Sequence, residues 1–331
     1  NYPYRLVLID NGSGKEIKSY LKNLKTNSDI DITLISNTEN LGWIRGINIG
    51  LKEAKSDYIC FLNNDIEVSD GWLGRLIDVV NLDRSIGIVN PSWEKPKKGS
   101  AGTYTELDYC RGFCMLIKKE VINRIGGLDE IFGMGYYDDW DFSLRAIKSG
   151  FRCVRANRVN VIHHKEKSFS LIFDKSEWNE LFERNKKIFY KKWGKPLKFF
   201  WIFDLKSSKE EITELEGLLK RSLKRQHKIK LFTDKKIGTE INHSNFKKVI
   251  IPGIFLNIFA LAAIFNDKRK KPDKKYNIIY TNSKNIFNRL NYPDFRGKYK
   301  VYFDNFKNGF SERFTNLINK DFEKPLEAEV L

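Results

Sequence analysis

The stretch YICFLNNDIEV, Tyr58 to Val68, decides how the rest of the chain is read. Apolar residues flank Asn63, Asn64 and Asp65. One reading is a turn, because Asn and Asp bond readily to nearby backbone there. The other is a ligand site at the carboxyl end of a parallel strand, where open α/β sheets take up their ligands. The segment is read as one strand, and its neighbours must choose between the two.

Working outward, YRLVLIDNGSG (Tyr4–Gly14) reads as a buried strand running into a Gly/Asn/Ser turn. KEIKSYLKNLK then has helical spacing, DIDITLISN is a strand, and GWIRGINIGLKEA (Gly42–Ala54) is a helix. After the deciding stretch come a helix, GWLGRLIDVVN, and a strand, SIGIVNPSW. Strands alternating with helices predict an α/β fold with a doubly wound, mainly parallel sheet. Further on, YYDDWDFSLRAIKSGF puts Trp140, Leu144 and Ile147 on one helical face. RCVRANRVNVIHH reads as a strand ending on two histidines, and SEWNELFERNKKIFYKKW as a closing helix.

The 331 residues are 41% hydrophobic and 14% aromatic, enough for a real core. The net charge of +17 is uneven: residues 205–331 hold 27 Lys/Arg against 15 Asp/Glu. That shift places the expected boundary between a domain at 1–204 and a basic α/β region at 205–331. A basic surface attracts nucleic acid, anionic lipid or phosphorylated substrates. No zinc-finger spacing or RNA-binding aromatic motif is present, so nucleic acid is not the expected partner. Cys60, Cys110, Cys114 and Cys153 form no CxxC pair, which reads as reduced thiols in a cytosolic compartment. The sequence begins without Met and opens almost directly on a strand, which reads as a fragment.

In the basic region, KEEITELEGLLKRSLKRQ reads as an amphipathic helix, and KIKLFTD, KVIIPG, YNIIYTNS and KYKVYFDN as strands. GIFLNIFALAAIF (Gly253–Phe265) is apolar but shorter than the roughly 20 residues that span a bilayer. It reads either as a buried element of a second α/β unit or as a membrane contact. Its flanks, Lys247–Lys248 and Lys268–Lys271, keep the second reading open.

Three polar clusters fall at predicted strand ends or helix starts: Asp10-Asn11-Gly12-Ser13, Asn63-Asn64-Asp65, and Asp138-Asp139-Trp140-Asp141 with His163-His164 downstream. Each has a plain structural reading. An Asp after a strand is commonly a turn or cap, acids opening a helix suit its dipole, and a strand histidine is usually packed. Together they suit a nucleotide-diphosphate site. A divalent cation neutralises a departing diphosphate, Mg²⁺ takes one or two carboxylates plus phosphate oxygens, and Mn²⁺ also accepts carboxylate, with an added imidazole compatible. A separate carboxylate would take the acceptor's proton.

In order, LIDNGSG, NLGWIRGINIGL, FLNNDIEVSDGWL, GGLDEIFGMGYYDDWDFSLRAIKSGF and VIHHKEKS resemble a family 2 glycosyltransferase, closest in flavour to the bacterial rhamnosyltransferase-like branch of surface-polysaccharide synthesis. The resemblance covers roughly residues 4–190. It implies a GT-A fold, a nucleotide-sugar donor, a glycan or lipid-linked acceptor, inversion at the anomeric carbon, and work in the cytoplasm at the inner face of a membrane. It implies that Asp10 contacts the nucleobase. Asn40, Gly42, Arg45 and Asn48 match the segment beside the nucleotide, where Arg45 reads equally as a solvated helix charge. Asn63-Asn64-Asp65 stands where the family has its DxD motif, with Asp65 as ligand to Mn or Mg. Asp138-Asp139 stands where the family has its acidic pair, with Asp139 as base and Asp138 next. Trp140 is assigned to the acceptor side or to the core. His163, followed by Ser168, is the second metal ligand and His164 the alternative. Glycines in GMGYY suggest a loop able to close over the donor.

Two departures stand out. The family carries Asp where Asn63 and Asn64 stand, and it begins with a further strand and helix that this sequence lacks. YNIIYTNSKNIFNRL and KYKVYFDNFKNGFSERF also faintly resemble part of a GT-B glycosyltransferase; a membrane-docking or acceptor-binding appendage is the other reading. An NAD-dependent oxidoreductase would need GxGxxG after the first strand, and DNGSG does not supply it. The remaining rival is a non-catalytic nucleotide-sugar-binding module.

Overall fold

A computed structural model describes residues 2–93, 102–164, 174–204, 209–234, 237, 240–271, 274–291, 299–303 and 318. The chain divides into two compact units, Asn1–Phe189 and Tyr190–Leu331. The boundary therefore lies before the change in charge at 204/205. The reason is Lys198–Phe203, a strand at the centre of the second unit's sheet.

The first unit runs β1 (Leu6–Asn11), α1 (Lys15–Asn27), β2 (Ile32–Asn37), α2 (Gly42–Glu53), β3 (Tyr58–Leu62), β4 (Ile66–Val68), α3 (Trp72–Asn81), β5 (Ile86–Ser92), β6 (Tyr104–Glu106), β7 (Cys114–Lys118), α4 (Lys119–Ile125), a 3₁₀ turn at Glu130–Phe132, α5 (Asp138–Lys148) and β8 (Arg152–His163). The helix α6 (Lys175–Trp193) runs across the boundary. Strands β1 and β2 pair in parallel as a separate two-stranded sheet. The larger sheet has the order β3-β7-β5-β8-β4, with β6 also on β8. Among the described residues β1 and β3 are both edge strands.

Pairing in this unit is mixed: β1 and β2 are parallel, and the larger sheet combines both directions. Only β5 and β8 are parallel in the larger sheet; β7 is antiparallel to β3 and β5, and β4 and β6 are antiparallel to β8. A parallel neighbour requires a crossover, usually a helix. The chain reaches β7 from β5 through β6 and loops, with no helix among the described residues, so it enters antiparallel. All seven residues of β5 are buried, and α3 covers it with Leu76, Val79 and Val80.

The second unit contains β9 (Lys198–Phe203), α7 (Lys209–Lys224), β10 (Lys228–Thr233), β11 (Phe246–Ile250), α8 (Gly253–Lys268), β12 (Ile278–Thr281), α9 (Lys284–Leu290) and β13 (Lys300–Phe303). Here every pair is parallel, in the order β11-β10-β9-β12-β13. Alternate residues of β9 feed opposite layers, as the strand period requires. Phe199, Trp201 and Phe203 pack with α7, and Phe200 and Ile202 with α8 and α9. Across the whole chain parallel pairings predominate and the class is α/β. For Gly253–Phe265 the buried reading holds on one side only. Leu256, Ala260 and Ile264 of α8 are core, while Ile254 and Ile258 on its other side are exposed. No described helix is long and apolar enough to cross a membrane.

Candidate active site

Asp10 closes β1 and is buried. Its Oδ1 accepts from the Ser13 amide at 2.9 Å, while its buried Oδ2 has no hydrogen-bond partner. Burial pushes the carboxyl up, but hydrogen bonds from Ser13 and the charge of Lys18 outweigh it and hold the group below the ordinary range. The turn after Asp10 needs glycine. Gly12 has φ +76°, and a Cβ there would lie 2.8 Å from the Glu39 backbone. That contact presses the β1 turn onto the loop entering α2. Asn11 ties the same pieces together, donating to the Gly42 carbonyl at 3.0 Å and accepting from Asn37 at 2.8 Å. Asn40 accepts from the Gly42 amide at 2.9 Å, and Gly42 is left-handed at φ +79°.

Two residues grouped with this cluster by sequence face elsewhere. Asn48 donates to the Leu128 carbonyl at 3.0 Å and accepts from the Leu128 amide at 2.9 Å, bracing the Gly126-Gly127 turn. Arg45 lies 3.3 Å from Glu130 in an exposed ion pair. One helical turn separates them, so they share a face of α2 turned to the 3₁₀ segment.

The deciding stretch is not one strand. It breaks at Asn63-Asn64-Asp65 into β3 and β4, which occupy opposite ends of the larger sheet. The three residues make the turn between the two strands. Asp65 Oδ1 lies 3.3 Å from His163 Nε2 and finds no hydrogen-bond partner. The His163 ring stacks on Phe113 at 5.0 Å, and Asn63 donates its amide to the Phe113 carbonyl at 2.9 Å. The adjacent His164 points to Glu67, 2.6 Å away, while its amide donates to the Asp65 carbonyl. Ser168 lies outside the described residues.

The third cluster opens α5. Asp139 Oδ2 accepts from the Gly112 amide at 3.1 Å and Oδ1 from the Trp140 amide at 2.8 Å. Burial raises its pKa, opposed by these bonds and by the charge of Arg111. Asp138 is more deeply buried. Burial first, then the charge of Asp139, pushes it up to about 8, although Trp43 hydrogen-bonds to it. At neutral pH Asp138 therefore holds its proton beside Asp139, the partly exposed member of the pair. Asp141 is structural: fully buried, it pairs with Arg145 at 2.9 Å. Arg145 also donates to the carbonyls of Ile125 and Gly127, fixing the Gly-Gly turn. Trp140 packs against Tyr109 at 4.8 Å, Tyr137 and the buried Phe189.

The segment before Asp138 is held in place. Tyr136 and Tyr137 both adopt left-handed backbone, φ 71° and 69°, a conformation costly for side chains of this size. Buried Asn185 of α6 donates to the carbonyls of Phe132 and Gly135 at 2.7 Å each and to Tyr136 at 3.3 Å. In this conformation GMGYY is a braced turn, in place of the loose loop its glycines suggested.

The second and third clusters meet on one short segment, Arg111–Phe113. Gly112 holds Asp139, and Phe113 holds His163 beside Asp65. Sequence reading passed over this segment and Trp43, because a backbone amide and a stacking ring carry no residue-type signature of a site. Among the described residues no group of three or more His, Cys, Asp or Glu could by itself hold a metal. A buried, unpartnered carboxylate oxygen beside an imidazole nitrogen nevertheless fits a divalent cation that takes further ligands from a bound diphosphate.

Comparison with known proteins places likenesses over the first part of the chain. Residues 1–103 match the family described as Glycosyl transferase family 2. A low-salt glycan biosynthesis hexosyltransferase of Haloferax volcanii is 24% identical over 187 residues, covering 48% of this chain and 58% of that protein. A probable N-acetylgalactosaminyltransferase 6 of Caenorhabditis elegans is 32% identical over 106 residues, 28% of this chain and 16% of that protein. The chain thus spans little more than half of the first relative and a small part of the second. A solved mannosyltransferase from Pyrobaculum calidifontis, in complex with GDP-Man and Mn²⁺, aligns over 49% of this chain and 48% of its own at 19% identity and a TM-score of 0.43.

Proposed function

We propose that the first unit transfers a sugar, with inversion, from a nucleotide-diphosphate donor to a hydroxyl of a glycan or lipid-linked acceptor, in the hexosyl- or rhamnosyltransferase manner of surface-polysaccharide synthesis. The observation that carries this reading is the meeting of Asp65–His163 and Asp138–Asp139 on Arg111–Phe113. Asp10, with one partnered and one unpartnered oxygen at the end of β1, is the group for the nucleobase, and Asn40 and Gly42 shape the wall beside it. Asn63 and Asn64 border the diphosphate. A divalent cation, Mn²⁺ or Mg²⁺, held by Asp65 and His163 supplies Lewis-acid neutralisation of the departing diphosphate.

Asp139 takes the acceptor's proton. Its raised pKa makes it a stronger base than an ordinary carboxylate, and the amides of Gly112 and Trp140 aim it. Asp138, holding its own proton, keeps a second negative charge from forming beside it. Trp140, at the mouth of α5, borders the acceptor side. The second unit, with its parallel five-stranded sheet, supports the reading of a glycosyltransferase-like accessory unit. A lipid-linked acceptor would bring the chain to the cytoplasmic face of a membrane.

Calorimetry with UDP, GDP and dTDP, each with and without Mn²⁺, tests the donor site, and incubation with a panel of nucleotide sugars tests transfer by released nucleotide. Metal-dependent binding of one nucleotide with its sugar turned over is the expected result. Binding with no transfer to any acceptor would favour the non-catalytic module, and no nucleotide binding at all would defeat the reading of the site.

A further inference from the structure

Helix α8 of the second unit has an unusual surface. A helix apolar on every side is normally buried all round. Here Leu256, Ala260 and Ile264 enter the core, yet Ile254, Ile258 and Phe259 on the outward side are 81%, 64% and 55% exposed, with Phe255 and Phe265 nearly half exposed. Exposed apolar residues scattered singly need no explanation, but a run of five along one helix does. At 16 residues the helix is about 24 Å long, too short to cross a bilayer and suited to lying on one.

The charge beside this face is divided: cations border its C-terminal end, while Asp204 and Asp234 lie beside Gly253 at its start. Lys268 and Arg269 sit over the Phe265 ring at 5.8 and 5.0 Å, so cations border the apolar face directly. The pKa of Lys230 of β10 is lowered, by burial first and then by the charges of Lys270 and of Lys247 of β11 nearby. Asp267, the carboxylate among them, is already bound to Lys270 at 2.8 Å and to the Tyr276 amide at 3.0 Å. The cluster therefore holds more positive charge than it neutralises.

We infer that the outward face of α8 and the cationic cluster at its C-terminal end form a docking surface for an anionic lipid bilayer. The helix lies in the plane of the headgroups, with Ile254, Ile258 and Phe259 entering the acyl boundary and Lys247, Arg269 and Lys270 meeting lipid phosphates. Charge complementarity selects this occupant, since Lys268 and Arg269 border the apolar face directly and suit an anionic headgroup layer. The inference does not depend on the transferase reading, because nothing in it uses the first unit's site.

Co-sedimentation of the whole chain with vesicles tests it, comparing phosphatidylcholine alone with phosphatidylcholine carrying phosphatidylglycerol. Binding is expected only to the anionic vesicles, weakening as salt rises from about 0.1 to about 0.5 M. Ile258→Asp with Phe259→Asp should lower the partition coefficient at least about tenfold. Arg269→Glu should lower it about fivefold or more, through the lost attraction near the surface. Both variants replace exposed side chains, so their melting temperatures should match the parent. Salt-independent binding, equal affinity for both vesicle types, or unchanged binding by well-folded variants would overturn the inference. So would a concentration-dependent dimer in light scattering that the Ile258→Asp, Phe259→Asp change dissolves, because the face would then belong to a second copy.

Discussion

Replacing Asp65 by Ala should have opposite effects on the empty and the loaded protein. Asp65 Oδ1 is buried without a hydrogen-bond partner, and the His163 Nε2 imidazole nitrogen lies 3.3 Å away. Leaving a buried acceptor unsatisfied costs about 1–3 kcal/mol, so its removal relieves a penalty that the weak contact with His163 only partly offsets. The empty variant should therefore melt within about 2 °C of the parent or slightly above it, since the residue lies on a turn and fills no core space. Ligand gives the reverse. At a hundredfold excess over Kd, nucleotide with Mn²⁺ stabilises the parent by about 2.7 kcal/mol. For a unit of this size that is a rise of about 5–10 °C. The variant loses one of the two protein groups for the cation, and this rise should shrink to within about 1 °C of zero. Thermal melts by intrinsic fluorescence, with and without Mn²⁺ and nucleotide, read both signs in one experiment. A variant that keeps the parent's ligand-induced rise would show that Asp65 holds no cation. An empty variant that melts far below the parent would show that the carboxylate is structural.

Asp139→Asn keeps the shape and most hydrogen bonds of the side chain, so turnover should fall by about 10²–10⁴ while nucleotide affinity is unchanged; single-turnover transfer and calorimetry separate the two. Asp138 holds its proton in the folded state up to about pH 8 and loses it near pH 4 when unfolded, so this group's contribution to stability is fully present below about pH 4 and is lost as pH rises through 8. Urea denaturation at pH 5 and pH 8 should show that decline, and Asp138→Asn should flatten it. Arg145→Met takes the Arg145 charge away from buried Asp141 and frees two turn carbonyls, which should cost about 3–5 kcal/mol in chemical denaturation; a loss under about 1 kcal/mol would mean Asp141 is protonated once that charge is gone.

How much the sequence discloses differs from element to element. The strand–helix alternation was legible because apolar runs and helical spacing change period at Gly, Asn and Ser. Strand direction was not, since β7 looks the same whether it enters parallel or antiparallel. Lys198–Phe203 escaped notice because its run of aromatic residues, buried on both sheet faces, has no alternation to mark it. The compact units divide at 189/190 and the charge shifts at 204/205, because charge follows surface while compactness follows which strands hydrogen-bond. On α2, Asn40 and Gly42 lie at the turn against β1, but Asn48 and Arg45 face the 3₁₀ segment. Only the phase of the helix against its neighbours decides that.

The site shows why residue type discloses less than position. Asp10, Asp65, Asp139 and His163 were legible as charges at element ends, yet nothing in their spacing ranks them. The structure ranks them by what each oxygen or nitrogen lacks. Asp141 has Arg145, and His164 has Glu67, so both are satisfied and need no ligand. Asp10 Oδ2 and Asp65 Oδ1 are buried with no hydrogen-bond partner, and Asp139 is held by two amides while its neighbour Asp138 keeps a proton. A protein selected for stability alone would pair these groups or replace them with apolar side chains. Their persistence at the ends of β1 and β3 is a physical argument for a ligand that supplies a cation or hydrogen-bond donors, the role the proposed donor and metal would fill. It also makes the Asp65→Ala experiment decisive for this site, because the same unsatisfied oxygen explains both the cost in the empty protein and the gain in the loaded one.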